Sequence, residues 1–227
     1  MRNGVQTFLG RRSRSEAGGH SISDTGPESL GPRAASDGGG AGLRPAGAAV
    51  GEGRLDELDG RIGEGWGGTS PNGSHVNVVL ARRGSRTAAA AISMLANPSP
   101  GHTPVLVCVG PTQAEYEPVW PPTLMMNKAT ATDEAHQTMT WGAAQLGIGQ
   151  GVLDAVAHGL IEATEDLLVL VAVWVDAAAD DETALREANR AATRKALGVC
   201  VEGRDPDAAA ALVERRDSLR NPFYSGE

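Results

Sequence analysis

An imidazole and an amide stand two residues apart in GSHVNVVLARRGS (73–85), and an ammonium group lies in a second apolar run, TLMMNKAT (123–130). Those three groups can move a proton, hold a small polar molecule and steady a charge that develops on it. With the period of a strand, His75, Asn77, Val79 and Ala81 share one face, while Val76, Val78 and Leu80 share the other. Alternate residues of a strand lie about 6.5 Å apart, so His75 and Asn77 can reach one small molecule. In the second run Leu124, Met126, Lys128 and Thr130 share a face that is polar at one end. A lysine in an otherwise apolar strand must find a partner or a wet cleft. Each feature also has a plainer reading. His75 caps a strand end while Asn77 faces water, and Lys128 is a solvated edge lysine that discourages edge pairing. For His75 and Asn77, periodicity alone favours the plainer reading.

Other candidates carry less. GEGWGG (63–68) fits the letters of a dinucleotide-binding loop, but a turn-like TSPNGS and another strand follow it instead of a helix, so its glycines read as turn residues. GIGQG (147–151) leads into a helical pattern and offers an anion nest, with close helix packing as the better explanation. His20, His102, His136 and His158 have no companion at ligand spacing. Cys108 sits in an apolar run and Cys200 follows a predicted helix. Two cysteines without a CxxC motif make neither a disulfide framework nor a zinc site, and they fit a reducing, cytoplasmic setting.

The elements that must position these groups alternate along the chain. Strands are expected near 59–66, 73–82, 103–110, 123–130 and 166–175. Helices are expected from Ser85 to Asn97, Thr132 to Trp141, Val152 to Ile161, residues 180–198 ending at Gly198, and Asp205 to Arg216. Alternation of this kind predicts an α/β or α+β fold with helices on one face of a sheet. Residues 1–57 are rich in Gly, Ser, Pro, Ala and Arg and show no hydrophobic period. They read as a disordered extension before a domain over 58–227. No apolar segment follows the RRSRS cluster, which argues against an export signal. With 20 basic and 28 acidic side chains the net charge is −8. That balance speaks against a nucleic-acid backbone or an anionic membrane as partner. The longest apolar run, DLLVLVAVWV (166–175), falls well short of the ~20 residues needed to span a bilayer.

Taken in order, IGEGWGG, SHVNVVLARRGS, TPVLVCVGP, TLMMNKAT, GAAQLGIGQGVLDAVAHGLI, DLLVLVAVWV, ANRAATRKAL and the NPF near the C-terminus resemble the formaldehyde-activating enzyme family, over roughly residues 60–224. The resemblance implies a βαβ fold of the ribosomal protein S5 domain 2 type, assembled as a homopentamer. It further implies condensation of formaldehyde with tetrahydromethanopterin to methylene-tetrahydromethanopterin and water. The family's catalytic histidine falls on His75, and its pterin-contacting positions fall on Asn77, Leu106, Lys128, Thr130 and Gln145. Four of those five keep the family's residue type. At position 77 the family has aspartate where this chain has asparagine.

In the implied reaction, a secondary amine of the pterin attacks formaldehyde to give a carbinolamine. Loss of water gives an iminium, and a second nitrogen closes the ring. Hydroxide leaves poorly until protonated, and an imidazolium can supply that proton near neutral pH, which makes His75 the general acid. Neither a metal nor a redox cofactor is needed, and the pterin acts as co-substrate. Asn77 keeps two other readings open: a pterin- or formaldehyde-binding homologue without catalysis, and a purely structural oligomer.

Overall fold

The computed structural model describes residues 52–221. In chain order the elements are α1 (Glu52–Leu58), β1 (Ile62–Gly67), β2 (Ser74–Arg82), α2 (Arg86–Ala96), β3 (Val105–Leu106), β4 (Cys108–Val109), β5 (Glu117–Pro118), β6 (Thr123–Asn127) and α3 (Glu134–Thr138). A π-helical stretch, Met139–Ala144, joins α3 to α4 (Gln145–Ala157). Then follow β7 (Leu167–Val175), α5 (Glu182–Glu202) and α6 (Pro206–Glu214). Five strands form one sheet in the order β1-β2-β7-β6-β3, antiparallel throughout except for the parallel β6–β7 pair. β4 and β5 form a separate two-stranded ribbon. The mixed α/β class expected from the alternation of elements is what the chain adopts.

Alternation along β2 and β7 decides which face is core. Val76, Val78 and Leu80 on β2 and Val169, Val171 and Val173 on β7 are buried, while the residues between them are at most partly covered. α4 and α5 pack together over the buried face, with Ile148, Val152, Leu185 and Leu197 filling the layer between. Burying a side chain of this size is worth about 2 kcal/mol, so two facing rows of them account for much of the driving force. The opposite face of the sheet stays open along much of its length, with α2 over one part of it. Ser85 starts α2 by accepting a hydrogen bond from the Ala88 amide, as an N-cap serine should.

GEGWGG does not form a turn. Gly63, Gly65 and Gly67 are the inward-facing positions of β1, and α5 lies directly on them: a Cβ on each would collide in turn with the Ala196, Ala192 and Ala188 carbonyls. The repeat of two along the strand meets a repeat of four along the helix, with only alanines facing Gly65 and Gly67 and the Cys200 sulfur joining Ala196 at Gly63. Gly65→Ala is expected to lower the unfolding free energy by about 3 kcal/mol, at the upper end of overpacking costs. A urea-denaturation midpoint equal to the wild type's would refute that contact.

Elsewhere the boundaries differ from expectation. Of the extension expected over 1–57, residues 1–51 lie outside the described residues, but Glu52–Leu58 is a helix with Leu55 and Leu58 buried. One apolar face of two leucines is too short to register as periodicity. The strand expected over 103–110 breaks at buried Val107, whose amide bonds Thr123 in the main sheet and whose carbonyl receives the Val119 amide. The two helices expected at 132–141 and 152–161 are one continuous helical run from Glu134 to Ala157. GIGQG lies inside it because Gly147 and Gly151 admit the α5 backbone, which is the close-packing role. Gly198 does not end α5 either. The helix continues to Glu202 because Cys200 extends the buried stripe, and Gly203 ends it at φ 79°. Both cysteines are free, and burial pushes the Cys200 thiol up to about 12.

Candidate active site on the open face of the sheet

Strand register sets the site. β1 and β2 pair Trp66 with His75 and Glu64 with Asn77; β2 and β7 pair His75 with Trp174 and Asn77 with Ala172. β6 runs parallel to β7, pairing Met126 with Ala172, and one residue beyond its end the Lys128 amide donates to the Val173 carbonyl at 2.7 Å. Directly paired residues share a face. Trp66, His75, Trp174 and Lys128 therefore stand in one row across the open face, with Glu64, Asn77, Ala172 and Met126 in the next. The small Ala172 lies between the strand that carries Asn77 and the strand that leads into Lys128, leaving room for the lysine to cross.

Three groups converge there. Lys128 Nζ lies 2.9 Å from His75 Nδ1 and donates to Asn77 Oδ1 at 2.9 Å. The other imidazole nitrogen, Nε2, faces Glu64 Oε2 at 3.3 Å. Trp66 stacks on the imidazole with ring centroids 4.3 Å apart and planes 9° from parallel, and Trp174 lies tilted against Trp66 at 6.2 Å. The histidine ring is therefore fixed in plane by stacking and in rotation by a partner at each nitrogen. A contact of 2.9 Å between Nζ and Nδ1 needs one proton between two nitrogens. Either an ammonium donates to a neutral imidazole, or an imidazolium donates to a neutral amine. Burial holds Lys128 below its ordinary value, at about 8, against a smaller opposing pull from Glu64.

Beside this cluster the open face hollows into a cavity of about 350 Å³ between the sheet and α2, lined by Asn77, Val79, Met94, Leu124, Met126 and Ala172 among others. Asn77 belongs to both cluster and cavity. The arrangement is an apolar hollow with a reactive polar edge, as suits an organic ring system carrying a polar reacting end.

Of the residues singled out in the sequence, His75, Asn77 and Lys128 come together. Leu106 lies on the same face but at the far edge, paired with Leu124 on β6, and it is exposed. Thr130 is exposed in the segment after β6, packed against Gly101, and does not join the cluster. Gln145 is buried at the start of α4. Its Oε1 accepts from the Cys108 amide at 3.1 Å and from the Tyr116 hydroxyl at 2.8 Å, and its amide nitrogen donates to the Trp141 carbonyl. Within one chain Gln145 clamps the β4–β5 ribbon to α4. Gln145→Ala strands a partly buried backbone N–H and is expected to cost about 1–3 kcal/mol. Denaturant melts give the total, and faster amide exchange at Cys108 locates it; an unchanged Cys108 exchange rate would count against the clamp.

Glu64, Trp66 and Trp174 are site residues that reading the segments one at a time misses. A signal existed. With β1 and β2 paired as a hairpin, the exposed alternates of IGEGWG must share a face with His75 and Asn77.

Comparison with known proteins gives consistent results. The family model described as Formaldehyde-activating enzyme (Fae) matches residues 62–224. A protein named 5,6,7,8-tetrahydromethanopterin hydro-lyase from Methanosarcina barkeri is 33% identical over 168 residues, covering 73% of this chain and 91% of that protein. Two proteins named Bifunctional enzyme Fae/Hps are also similar. The one from Methanothrix thermoacetophila is 29% identical across 70% of this chain and 40% of its own length. The one from Methanococcoides burtonii is 31% identical across 68% of this chain and 38% of its own. The chain thus spans most of the first relative and about two fifths of the bifunctional ones.

Proposed function

The chain belongs to the formaldehyde-activating enzyme family, and on that premise we propose that it condenses formaldehyde with tetrahydromethanopterin to methylene-tetrahydromethanopterin and water, with His75 as the general acid. The observation that carries this reading is the His75–Lys128 contact at 2.9 Å, on a sheet face that opens into an apolar hollow. A proton held between two basic nitrogens is a proton available to a leaving hydroxyl. Trp66 stacking and the Glu64 contact keep the imidazole from rotating away between turnovers. Seating both reactants in one hollow adds to the rate, because the spontaneous reaction is bimolecular.

Asn77 lacks the charge that aspartate brings at this position in the family. In this chain a carboxylate stands directly across the strand pair, on Glu64, and its oxygen lies near the imidazole. Glu64 therefore supplies the anion from the neighbouring strand, which supports catalysis over binding alone. In this reading the exposed Leu106 and Thr130 contact the pterin of a neighbouring subunit in a homopentamer. Gln145, buried and bonded to Cys108, Tyr116 and Trp141, serves the pterin site by holding the β4–β5 ribbon. A cytoplasmic location belongs to the same reading; no helix of the described residues is long and apolar enough to cross a membrane.

The test is direct. Purified protein at low concentration is mixed with formaldehyde and tetrahydromethanopterin, and methylene product is followed against the spontaneous rate. Acceleration supports the lyase. Saturable pterin binding without acceleration would replace it with a binding protein.

A further inference from the structure

We propose that Lys128 captures formaldehyde covalently, as a methylene iminium on Nζ, and passes the carbon from there to the pterin amine. The inference rests on the reading that formaldehyde is the substrate, and it assigns Lys128 the role of nucleophile. Three observations point to it. Nζ is held between two polar atoms of the cluster, the imidazole Nδ1 and the Asn77 carbonyl oxygen, at 2.9 Å each. Neither of those two partners is an anion, so nothing bound directly to Nζ locks it as an ammonium ion. The group that touches it, His75 Nδ1, can take and return a proton at each step that needs one.

Burial adds to the geometry. With Lys128 lowered to about 8, roughly a tenth of the amine is neutral at pH 7, against under about one part in a thousand for an ordinary lysine. A desolvated lysine amine is the usual nucleophile toward a carbonyl carbon.

The reactive form has a neutral Nζ and a protonated His75. The Nζ lone pair attacks the formaldehyde carbon, a C–N bond forms, and the carbonyl π pair moves to oxygen. That oxygen takes the His75 proton, and the new ammonium returns one to Nδ1, giving the carbinolamine. Nδ1–H then protonates the hydroxyl, the C–O bond breaks, water leaves, and the Nζ lone pair closes the iminium. A pterin secondary amine adds to the iminium carbon and the π pair returns to Nζ. Transfer of the pterin proton through His75 to Nζ lets the C–Nζ bond break as the pterin nitrogen closes its own iminium. The second pterin nitrogen adds to that carbon and gives its proton to His75. Formaldehyde and two N–H groups become one N–CH2–N bridge and water, and Lys128 and His75 return to their starting states. No oxidant, reductant or further reactant enters.

The chain makes the test clean, because its 227 residues include only two lysines, Lys128 and Lys195. Lys195 is exposed on α5 and serves as an internal control for unassisted chemistry. The full chain is incubated at neutral pH with formaldehyde and sodium cyanoborohydride, without pterin, and peptides are mapped by mass spectrometry. The hydride reagent reduces an iminium to a stable N-methyl group. Lys128 is expected to be methylated at least about 10-fold faster than Lys195, and added tetrahydromethanopterin is expected to suppress labelling at Lys128 alone. Equal or slower labelling of Lys128 overturns the proposal. Condensation activity without trapping would remove the covalent step and leave the lyase reading standing. Trapping without condensation would do the reverse. Lys128→Arg keeps a cation but carries no iminium, and is expected to lower kcat by about 100-fold or more. Retention of the wild-type rate would overturn the proposal, and the labelling of wild type decides the matter even if the variant folds poorly.

Discussion

Replacing His75 with alanine is expected to lower kcat/KM for condensation by about 100- to 10,000-fold, the range that positioned acid–base groups contribute. The argument is geometric. His75 has a partner at each ring nitrogen and a tryptophan stacked on its face, and its side chain is only 20% exposed, so the ring is held in one orientation. Removing it leaves Lys128 without a proton partner and leaves the carbinolamine hydroxyl to depart as hydroxide. The fold should survive, because the core side of β2 is made by Val76, Val78 and Leu80, which the substitution does not touch. His75→Gln separates relay from positioning. A glutamine can donate and accept hydrogen bonds but cannot carry a proton between pH 5 and 9. If initial rates, corrected for the spontaneous reaction, show Gln nearly as active as His, the ring only positions its neighbours. A rate equal to that of the alanine variant makes it the acid.

Lys128→Met is expected to abolish measurable condensation and, at pH 7, to raise the melting temperature by about 2–4 °C. Activity goes because methionine has neither proton nor nucleophilic nitrogen. Stability rises because the cluster holds a charge that burial disfavours, and a thioether of similar length fills the same space without that cost. The size of the gain is modest because Lys128 remains partly solvated and its contacts to Asn77 and His75 are lost too. pH gives the sign independently. Lys128 titrates at about 8 in the folded chain against 10.5 ordinarily. Below pH 8 both states hold the proton and the folded state carries the full penalty. Between 8 and 10.5 the unfolded chain stays protonated while the folded one does not, so stability contributed by this group increases as pH rises. The advantage of Lys128→Met should therefore be greatest at pH 7 and shrink steadily above pH 8. A constant difference in melting temperature from pH 7 to 10 would show that the lysine is not strained by burial.

Much of the scaffold was legible in the sequence because it rests on repeats that single segments carry. Val76, Val78 and Leu80 alternate with His75, Asn77 and Val79, and that alone fixes which face of β2 is core. Acidic residues before α5 and the apolar spacing within it likewise announce a helix. The features that escaped depend on contacts between segments. Gly63, Gly65 and Gly67 look like turn residues until the Ala188–Ala192–Ala196 ridge of α5 is laid against them. Gly147 and Gly151 do read as close-packing glycines, but only the contact with α5 shows that the helix runs through them instead of starting after Gly151.

The site divides the same way. Asn77 and His75 follow from one strand's period, and Lys128 keeps that phase although its strand ends at Asn127. Thr130 does not, because two residues beyond the last sheet hydrogen bond nothing maintains a strand's alternation. Glu64 was invisible for a different reason. Its strand is expected from the sequence, but only the pairing of that strand with β2 places Glu64 beside Asn77.

The bare inner face of β1 has a consequence for how this reactivity can be altered. Adhesion to the helix beneath is done by the strand's backbone alone, and its side chains stand on the open face, where Glu64 and Trp66 meet His75. Chemistry and anchorage are thereby written in alternate letters of one six-residue word. Libraries that randomise positions 62, 64 and 66 while holding the three intervening glycines constant sample new substrate surroundings with the scaffold's mechanical footing untouched.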